Sequence, residues 1–253
     1  MSAEKDDEKL LISRINDALA QADRRWGAVY IGFLNECQAH TAAEYLKRTS
    51  CGNFMFFGGH KSALRTMLCI YNADSNPPEY TDFPITALRF EYRTADSLSH
   101  RDFLGAVMAL GVKRESIGDI IVRGGFAVMF AEKNIASYLL GQIQKIGSVG
   151  VGISVCEDGN LDFPQEYETA VINVSSMRLD SFVAAVTKLS RTKAAALISS
   201  GLVSVNYSVN QKADFLLSEN DTVSVRKKGK YVVAGILGTT KKDRLRVSVR
   251  IIK

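Results

Sequence analysis

The short segment Ser190-Arg191-Thr192-Lys193 combines residue types that can bind a phosphate group. Serine is a preferred N-cap residue, and the apolar spacing after it predicts a helix that begins at Arg191. The first turn of a helix presents unpaired backbone N–H groups and the positive end of the helix dipole, which stabilise an anion. Two cations in that turn are unfavourable for the helix alone. The segment therefore predicts a phosphate site, with an ordinary solvated helix end as the alternative.

Two further basic clusters follow in the last third of the chain. Arg226-Lys227-Lys228-Gly229-Lys230 comes directly after an alternating segment and is typical of a hairpin tip on a phosphate backbone. Lys241-Lys242-Asp243-Arg244 is a similar turn near the end. Either turn alone is more often a solvated loop, but three clusters in one module predict an RNA interface. The predicted RNA contacts are Arg178, Lys188, Ser190, Arg191, Lys193, Asn206, Arg226, Lys227, Lys228, Lys230, Lys241, Lys242 and Arg244.

The charge of the chain is unevenly distributed. Residues 178–253 contain 15 Lys and Arg against 5 Asp and Glu, whereas the rest contains 17 against 22. The whole-chain net charge of +5 therefore conceals a C-terminal third that is strongly positive and a remainder that is negative. Such an asymmetry indicates a polyanionic partner for the C-terminal third.

The composition excludes several classes of protein. With 46% hydrophobic and 23% charged residues over 253 positions, the chain has the composition of a soluble globular protein. No run of 18 apolar residues occurs, so no membrane span is predicted, and the acidic start Met1–Glu8 is typical of neither a secretory signal nor a transit peptide. We expect a cytoplasmic protein that acts as a monomer and needs no cofactor.

The cysteines and histidines do not predict a metal site. Cys37, His40, Cys51 and His60 fit no compact zinc-ligand spacing. The chain has four cysteines, Cys37, Cys51, Cys69 and Cys156. They lack paired spacing, as expected of free thiols in a reducing cytosol.

Residues 83–157 have the pattern of a ferredoxin-like βαββαβ domain. Strands are predicted over 85–92, 119–122, 127–130 and 149–155, and helices from Ser99 and over 134–146. Ser99 as N-cap with Asp102 three residues later is a variant of the capping box. This order predicts an antiparallel sheet with two helices on one face. Phe126, Val128 and Phe130 approach the aromatic signature of an RNA-recognition motif, but ordinary alternation in a sheet is the favoured interpretation.

The remaining segments complete an α+β fold class. Residues 1–82 predict a small N-terminal α/β region, with an amphipathic helix over 10–22. Residues 158–175 are acidic and rich in turn formers, which predicts a linker. Residues 176–253 predict two helices, over 178–189 and 191–200, followed by short strands.

The C-terminal module resembles the S-four RNA-binding domain, named for a small-subunit ribosomal protein. The resemblance lies in Arg178-Leu179-Asp180, Ser190-Arg191, Ala194, Ile198, Gly201 and Val205-Asn206. It implies two antiparallel helices on a small curved sheet, with RNA held by the helix face and the adjoining loop. Asn206 would then supply a polar contact from that loop.

Over roughly residues 30–253 the chain resembles the YlmH-type proteins of Gram-positive bacteria. The matching motifs are Ser99–Gly105, Leu110–Arg114, Ile117–Ile120 and Thr240-Lys241-Lys242 with Arg244. The resemblance implies an RNA-binding protein that docks on rRNA or tRNA and associates with the large ribosomal subunit. It further implies engagement of peptidyl-tRNA in the rescue of stalled translation, and a link to cell division.

The sequence departs from the family pattern at three places. The usual Ala-Glu-Arg triplet is Ala63-Leu64-Arg65, which loses the acid, and Lys227 and Asp243 stand where glycine is usual. The first departure weakens any expectation of a family site in the N-terminal region.

Two other classes of function are kept as alternatives. Arg178-Leu179-Asp180 also resembles the surroundings of the catalytic aspartate of pseudouridine synthases, although Ser181-Phe182 follows instead of a Thr-rich turn. An RNA-modifying enzyme would need an acid–base pair near His100 or Asp119, which the sequence does not clearly supply. A cell-division adaptor, with a protein partner on the central domain, is the second alternative. The favoured prediction is a protein without catalytic residues.

Overall fold

The computed structural model describes residues 2–25, 27–156, 163 and 167–252. The chain divides into two compact units, Met1–Pro164 and Gln165–Lys253. No helix in the described ranges is both long and apolar enough to cross a membrane. The predicted domain boundary between residues 82 and 83 lies inside the first of the two compact units.

The first unit begins with a small helix-on-sheet layer. Its elements are α1 (Ser2–Arg25), β1 (Ala28–Leu34), α2 (Glu36–Arg48), β2 (Phe54–Phe57) and β3 (Thr66–Tyr71). The three strands form an antiparallel sheet in the order β1-β3-β2. The helix predicted over 10–22 is longer in the structure, where it includes the polar N-terminal residues. Its apolar stripe, represented by Leu11 and Ile15, packs with Leu46 of α2 and Leu68 of β3.

The central part of the first unit has the predicted ferredoxin-like topology. Its elements are β4 (Ile85–Glu91), α3 (His100–Ala109), β5 (Ile117–Arg123), β6 (Phe126–Glu132), α4 (Lys133–Gln142), β7 (Lys145–Ile146), β8 (Val149–Gly150) and β9 (Gly152–Val155). The sheet order is β5-β6-β4-β9, with antiparallel pairing throughout. The Ser99–Asp102 capping box forms as predicted. Helix α4 ends at Gln142, short of the predicted Ile146, because Lys145–Ile146 pairs with β8 in a small hairpin.

Both faces of the central sheet are covered. One face packs on α3 and α4, with Phe90 against Phe103 at a ring-centroid distance of 5.3 Å. On the other face, Val128 and Phe130 are buried with Phe33 and Met67 of the N-terminal layer. The face that an RNA-recognition motif uses to stack bases is therefore occupied by protein.

The second unit is a six-stranded antiparallel sheet with two helices on one face. Its elements are β10 (Tyr167–Val174), α5 (Leu179–Thr187), α6 (Arg191–Ser199), β11 (Val203–Val205), β12 (Ser208–Val209), β13 (Thr222–Val225), β14 (Gly229–Thr239) and β15 (Leu245–Ile252). The order is β10-β15-β14-β13-β11-β12. Phe182 and Val183 of α5 and Ile198 of α6 pack on Val233 and Val247 of the sheet. The predicted pair of helices on a small sheet is confirmed.

The prediction of a linker over 158–175 is wrong for residues 167–174. This segment is β10, which pairs with β15 along its whole length, from Tyr167↔Ile252 to Val174↔Leu245. The pairing with a strand at the far end of the module gives an otherwise polar segment a ladder of backbone hydrogen bonds. Residues 158–162 and 164–166 of the predicted linker lie outside the described residues.

Candidate nucleic-acid interface

The start of α6 has the predicted capped geometry. Ser190 is the N-cap residue, and its Oγ accepts a hydrogen bond from the backbone N–H of Lys193 at 3.3 Å. Ala194 and Ile198 are buried beneath the helix, which turns Arg191 and Lys193 outward to solvent. Two basic side chains and the positive helix end therefore share one exposed location.

Asp180, in the first turn of α5, joins this location to Arg178. Its Oδ1 accepts from Nε of Arg178 at 3.2 Å, and its Oδ2 accepts from Nη2 of Arg178 at 3.3 Å. Oδ2 also accepts from Nη2 of Arg191 at 2.8 Å, so one carboxylate links the starts of both helices. Its side chain is 10% exposed, while those of Arg178 and Arg191 are 39% and 55% exposed. This role of Asp180 was not predicted from the sequence, since no local spacing signals a bond to Arg191.

The electrostatics of this cluster favour an ionised carboxylate. Burial alone raises the pKa of Asp180, but the hydrogen bonds from Arg178 and Arg191 outweigh burial and bring the pKa below its ordinary value. The hydrogen bond between Arg178 and Asp180 also raises the pKa of Arg178. Each guanidinium carries five N–H donors, so both arginines keep donors beyond those that Asp180 uses. The carboxylate fixes the two planar cations in a geometry suited to phosphate oxygens.

Lys188 stands at the end of α5 in a left-handed conformation, with φ of 56°. Glycine usually occupies such a position, because a Cβ costs free energy there. The Lys188 side chain is exposed, between the two helices that form the cluster. Lys188 is thus an exposed cation in the short connection between the two helices, three residues before Arg191.

The two basic turns are separated along the sheet. Arg226, Lys227 and Lys228 precede β14, whereas Lys241, Lys242 and Arg244 follow it, so the turns lie at opposite ends of an 11-residue strand. A strand of that length spans about 35 Å. All six side chains are exposed.

Both departures from the family's glycines fall at left-handed positions of these turns. Lys227 has φ of 63° and Asp243 has φ of 58°. The turns thus keep the backbone conformation that glycine favours although the residues differ.

Lys230 and Asn206 both contact other residues of the second unit. Lys230 lies within β14, and its Nζ is 5.0 Å from the centre of the Tyr207 ring. The Asn206 amide donates to Oδ1 of Asp221 at 2.7 Å and accepts from the backbone N–H of Thr222 at 2.9 Å. These bonds give Asn206 a role in shaping its turn, and its predicted RNA contact stays a prediction.

The second place considered for chemistry, around Asp119, is a structural junction in the first unit. Asp119 accepts from the backbone N–H groups of Leu64 at 2.7 Å and Arg65 at 3.1 Å. Nε2 of His60 lies 3.1 Å from Oδ2 of the same carboxylate, and His60 stacks on Phe130. The carboxylate thus holds the backbone of the triplet that lacks the family's acid.

His100 and the candidate metal ligands also lie in the first unit. Burial lowers the pKa of His100, and the nearby Arg114 lowers it further. Within the described ranges, no group of three or more His, Cys, Asp or Glu residues is placed to hold a metal ion.

The fold of the second unit and the cluster at α5 and α6 define an RNA-binding protein. Residues 78–158 match the family described as an RNA-binding domain in YlmH, and residues 177–223 match the S4 domain, the S-four domain of the sequence prediction. The ribosome-associated protein quality control protein P2 of Bacillus subtilis (strain 168) is 32% identical over 197 residues, which is 76% of each chain. The chain therefore belongs to the YlmH family.

The chain is also similar to a solved structure. The cell division protein ylmH from Streptococcus pneumoniae has 18% sequence identity and a TM-score of 0.49, and the comparison covers 60% of this chain and 87% of that one.

Proposed function

We propose that the protein binds folded RNA through the face formed by the starts of α5 and α6. The observation that carries the proposal is the single carboxylate of Asp180 holding Arg178 and Arg191, with Lys193 in the adjoining helix turn. Phosphate contacts from these cations and Lys188 position the RNA, while the basic turns around Lys227 and Lys242 reach more distant parts of its backbone. The partner class is structured rRNA or tRNA.

The biological setting follows from the family. The Bacillus subtilis relative is named a ribosome-associated quality control protein, and 76% of each chain is aligned with it. We propose that this protein likewise works on ribosomes in the cytoplasm. It would bind the large subunit as a monomer and engage peptidyl-tRNA during rescue of stalled translation. The cell-division adaptor stays an alternative prediction.

We further propose that the protein acts by binding and has no catalytic residue. Asp180 is the residue that resembles a catalytic aspartate. Its pKa is lowered, so its carboxylate is a weak base. Its two oxygens are engaged by Arg178 and Arg191. These bonds support a positioning role for the carboxylate.

Crosslinking followed by sequencing of the bound RNA tests the proposal. The full chain is expected to recover rRNA or tRNA, and the Arg191→Glu/Lys193→Glu variant is expected to lose about tenfold or more in affinity for the recovered RNA. The matched control is Lys9→Glu/Lys61→Glu, which reverses two exposed lysines outside both regions that match RNA-binding families. Affinity should also fall with salt, with a log–log slope of about −3 if four cations contact phosphates. Equal losses in the two variants, or an affinity insensitive to salt, would contradict the proposal.

A further inference from the structure

We infer that the face of the C-terminal sheet opposite the helices is a second RNA-binding surface, suited to an unpaired RNA strand. We call it the outer face and define it by Tyr167, Lys230, Arg246 and Arg250. The inference uses the proposed function only in taking RNA as the partner. It concerns residues that play no part in the cluster around Asp180.

Strand alternation puts these side chains on one face. Val247 and Val249 of β15 are buried against α5 and α6, as are Tyr231 and Val233 of β14. Because successive side chains of a strand point to opposite faces, their neighbours Arg246, Arg250 and Lys230 point away from the helices.

The strand register then brings the outer-face residues close to one another. Ile252 pairs with Lys230 on one side and with Tyr167 on the other. Arg250 is two residues before Ile252, so it is a diagonal neighbour of both Lys230 and Tyr167 at about 7–8 Å. Arg246 continues the row four residues earlier along β15, about 13 Å away. The cations thus form a track across and along the sheet.

Positive charge predominates on the outer face. In the described residues, no Asp or Glu occupies an outward strand position of β10, β11, β13, β14 or β15. Neither Arg246 nor Arg250 forms an ion pair within the described ranges. The carboxylate of Glu219, on the loop before β13, approaches β14 beside Gly235. Two arginines without an ion pair on the same sheet face attract a polyanion.

Aromatic rings lie among these cations. Cζ of Arg250 is 5.7 Å from the centre of the Tyr167 ring, and Tyr167 is 54% exposed. Nζ of Lys230 is similarly placed over Tyr207. Nε of Arg250 is buried and makes no hydrogen bond, an arrangement that costs free energy in the isolated protein. Surfaces that bind single strands combine a cationic track for phosphates with rings on which bases stack, so an unpaired RNA strand is the occupant that fits.

Fluorescence anisotropy of the full chain with two labelled probes tests this inference. One probe is a 12-nucleotide oligouridine, which is unpaired, and the other is an RNA hairpin with a stable stem. The variants are Arg246→Gln/Arg250→Gln and Tyr167→Leu, with Lys9→Gln/Lys61→Gln as the charge-matched control. Because Arg250 is half-buried, Arg246→Glu at an exposed position is the second test of charge should the double variant not fold.

The double variant is expected to lose about tenfold in affinity for oligouridine, and its salt dependence should weaken by about 1.4 in log–log slope. Tyr167→Leu should lose about fivefold or more through lost stacking. Arg191→Glu/Lys193→Glu should instead lose hairpin affinity, so failure of the proposed function shows in that variant alone. Oligouridine losses no larger than those of the control would overturn the inference. So would outer-face variants that bind both probes normally but lose a ribosomal protein contact, which would indicate an acidic protein partner.

Discussion

Arg191 donates a hydrogen bond of 2.8 Å to Asp180, which connects the first turn of α6 to the first turn of α5. The same carboxylate holds Arg178, so the positions of both guanidinium groups depend on one residue. Neutralising Asp180 would make the site more positive, but it would also release both arginines from their fixed positions. We therefore expect the geometry of the cationic site to depend on this carboxylate.

Asp180→Asn should therefore weaken RNA binding even though it raises the net charge by one. The amide keeps an acceptor oxygen but loses the charge that orders two arginines, and the free energy of unfolding should fall by about 1–2 kcal/mol. Urea denaturation and binding to a hairpin RNA measure the two effects. Asp96→Asn, which removes the exposed ion pair with Arg93, is the control and should change stability by less than about 0.5 kcal/mol. Tighter RNA binding by Asp180→Asn would show that net charge alone determines affinity.

The stability supplied by Asp180 should depend on pH in a defined direction. Its pKa in the folded protein is lower than the ordinary value of 3.8, so the folded state holds fewer protons there than the unfolded state. The stabilisation is present above pH 3.8 and is lost as the pH falls through the folded-state value. The difference in unfolding free energy between wild type and Asp180→Asn should be constant from about pH 5 to 7 and shrink below about pH 4. A difference that grows on acidification would contradict this assignment.

Lys188→Gly should separate stability from RNA binding. Glycine relieves the left-handed strain at the end of α5, and we expect a gain of about 0.5–1 kcal/mol in unfolding free energy. RNA affinity should nevertheless fall, because a cation beside the α5–α6 site is removed. Lys188→Asn, which also tolerates a left-handed backbone, is the control for loss of charge. Unchanged hairpin affinity in both variants would remove Lys188 from the proposed interface.

Asp119→Ala should destabilise the first unit by about 2–3 kcal/mol, since the N–H groups of Leu64 and Arg65 lose their acceptor. Asp119→Asn keeps one acceptor oxygen and should cost less. Chemical denaturation followed by circular dichroism measures both variants, and RNA binding by the second unit should be unaltered at temperatures where the first unit remains folded. If instead Asp119→Ala left stability unchanged, the hydrogen bonds of this carboxylate would be dispensable for the fold.

The effects of the two basic turns should be additive. Arg226→Gln/Lys228→Gln and Lys241→Gln/Lys242→Gln change opposite ends of β14, too far apart to share a phosphate. Their losses in binding free energy to a long structured RNA should add to within about 0.5 kcal/mol in the combined variant. Isothermal titration of the three variants tests this, and a combined loss much smaller than the sum would mean that both turns serve one contact.

The sequence predicted those features that depend on residues close in the chain. Ser190 and its capped helix, and the βαββαβ order, follow from local spacing and alternation. The bond between Asp180 and Arg191 was missed because it depends on how the two helices meet at Lys188. Strand β10 was missed because its polar residues form a strand through pairing with β15, at the other end of the module. The proximity of Arg250 to Tyr167 was missed for the same reason, since it depends on the register between β10 and β15.

The burial of Val128 and Phe130 under the N-terminal layer has a consequence for how the first unit folds. A fragment that began at residue 83 would keep its own helices but leave an apolar sheet face in water, which favours self-association. Gly59 lies so close to Phe130 that a Cβ would stand 2.3 Å from the ring, so the two layers are fitted at contact distance. We therefore expect residues 78–158 to unfold together with the layer that precedes them, as one cooperative unit.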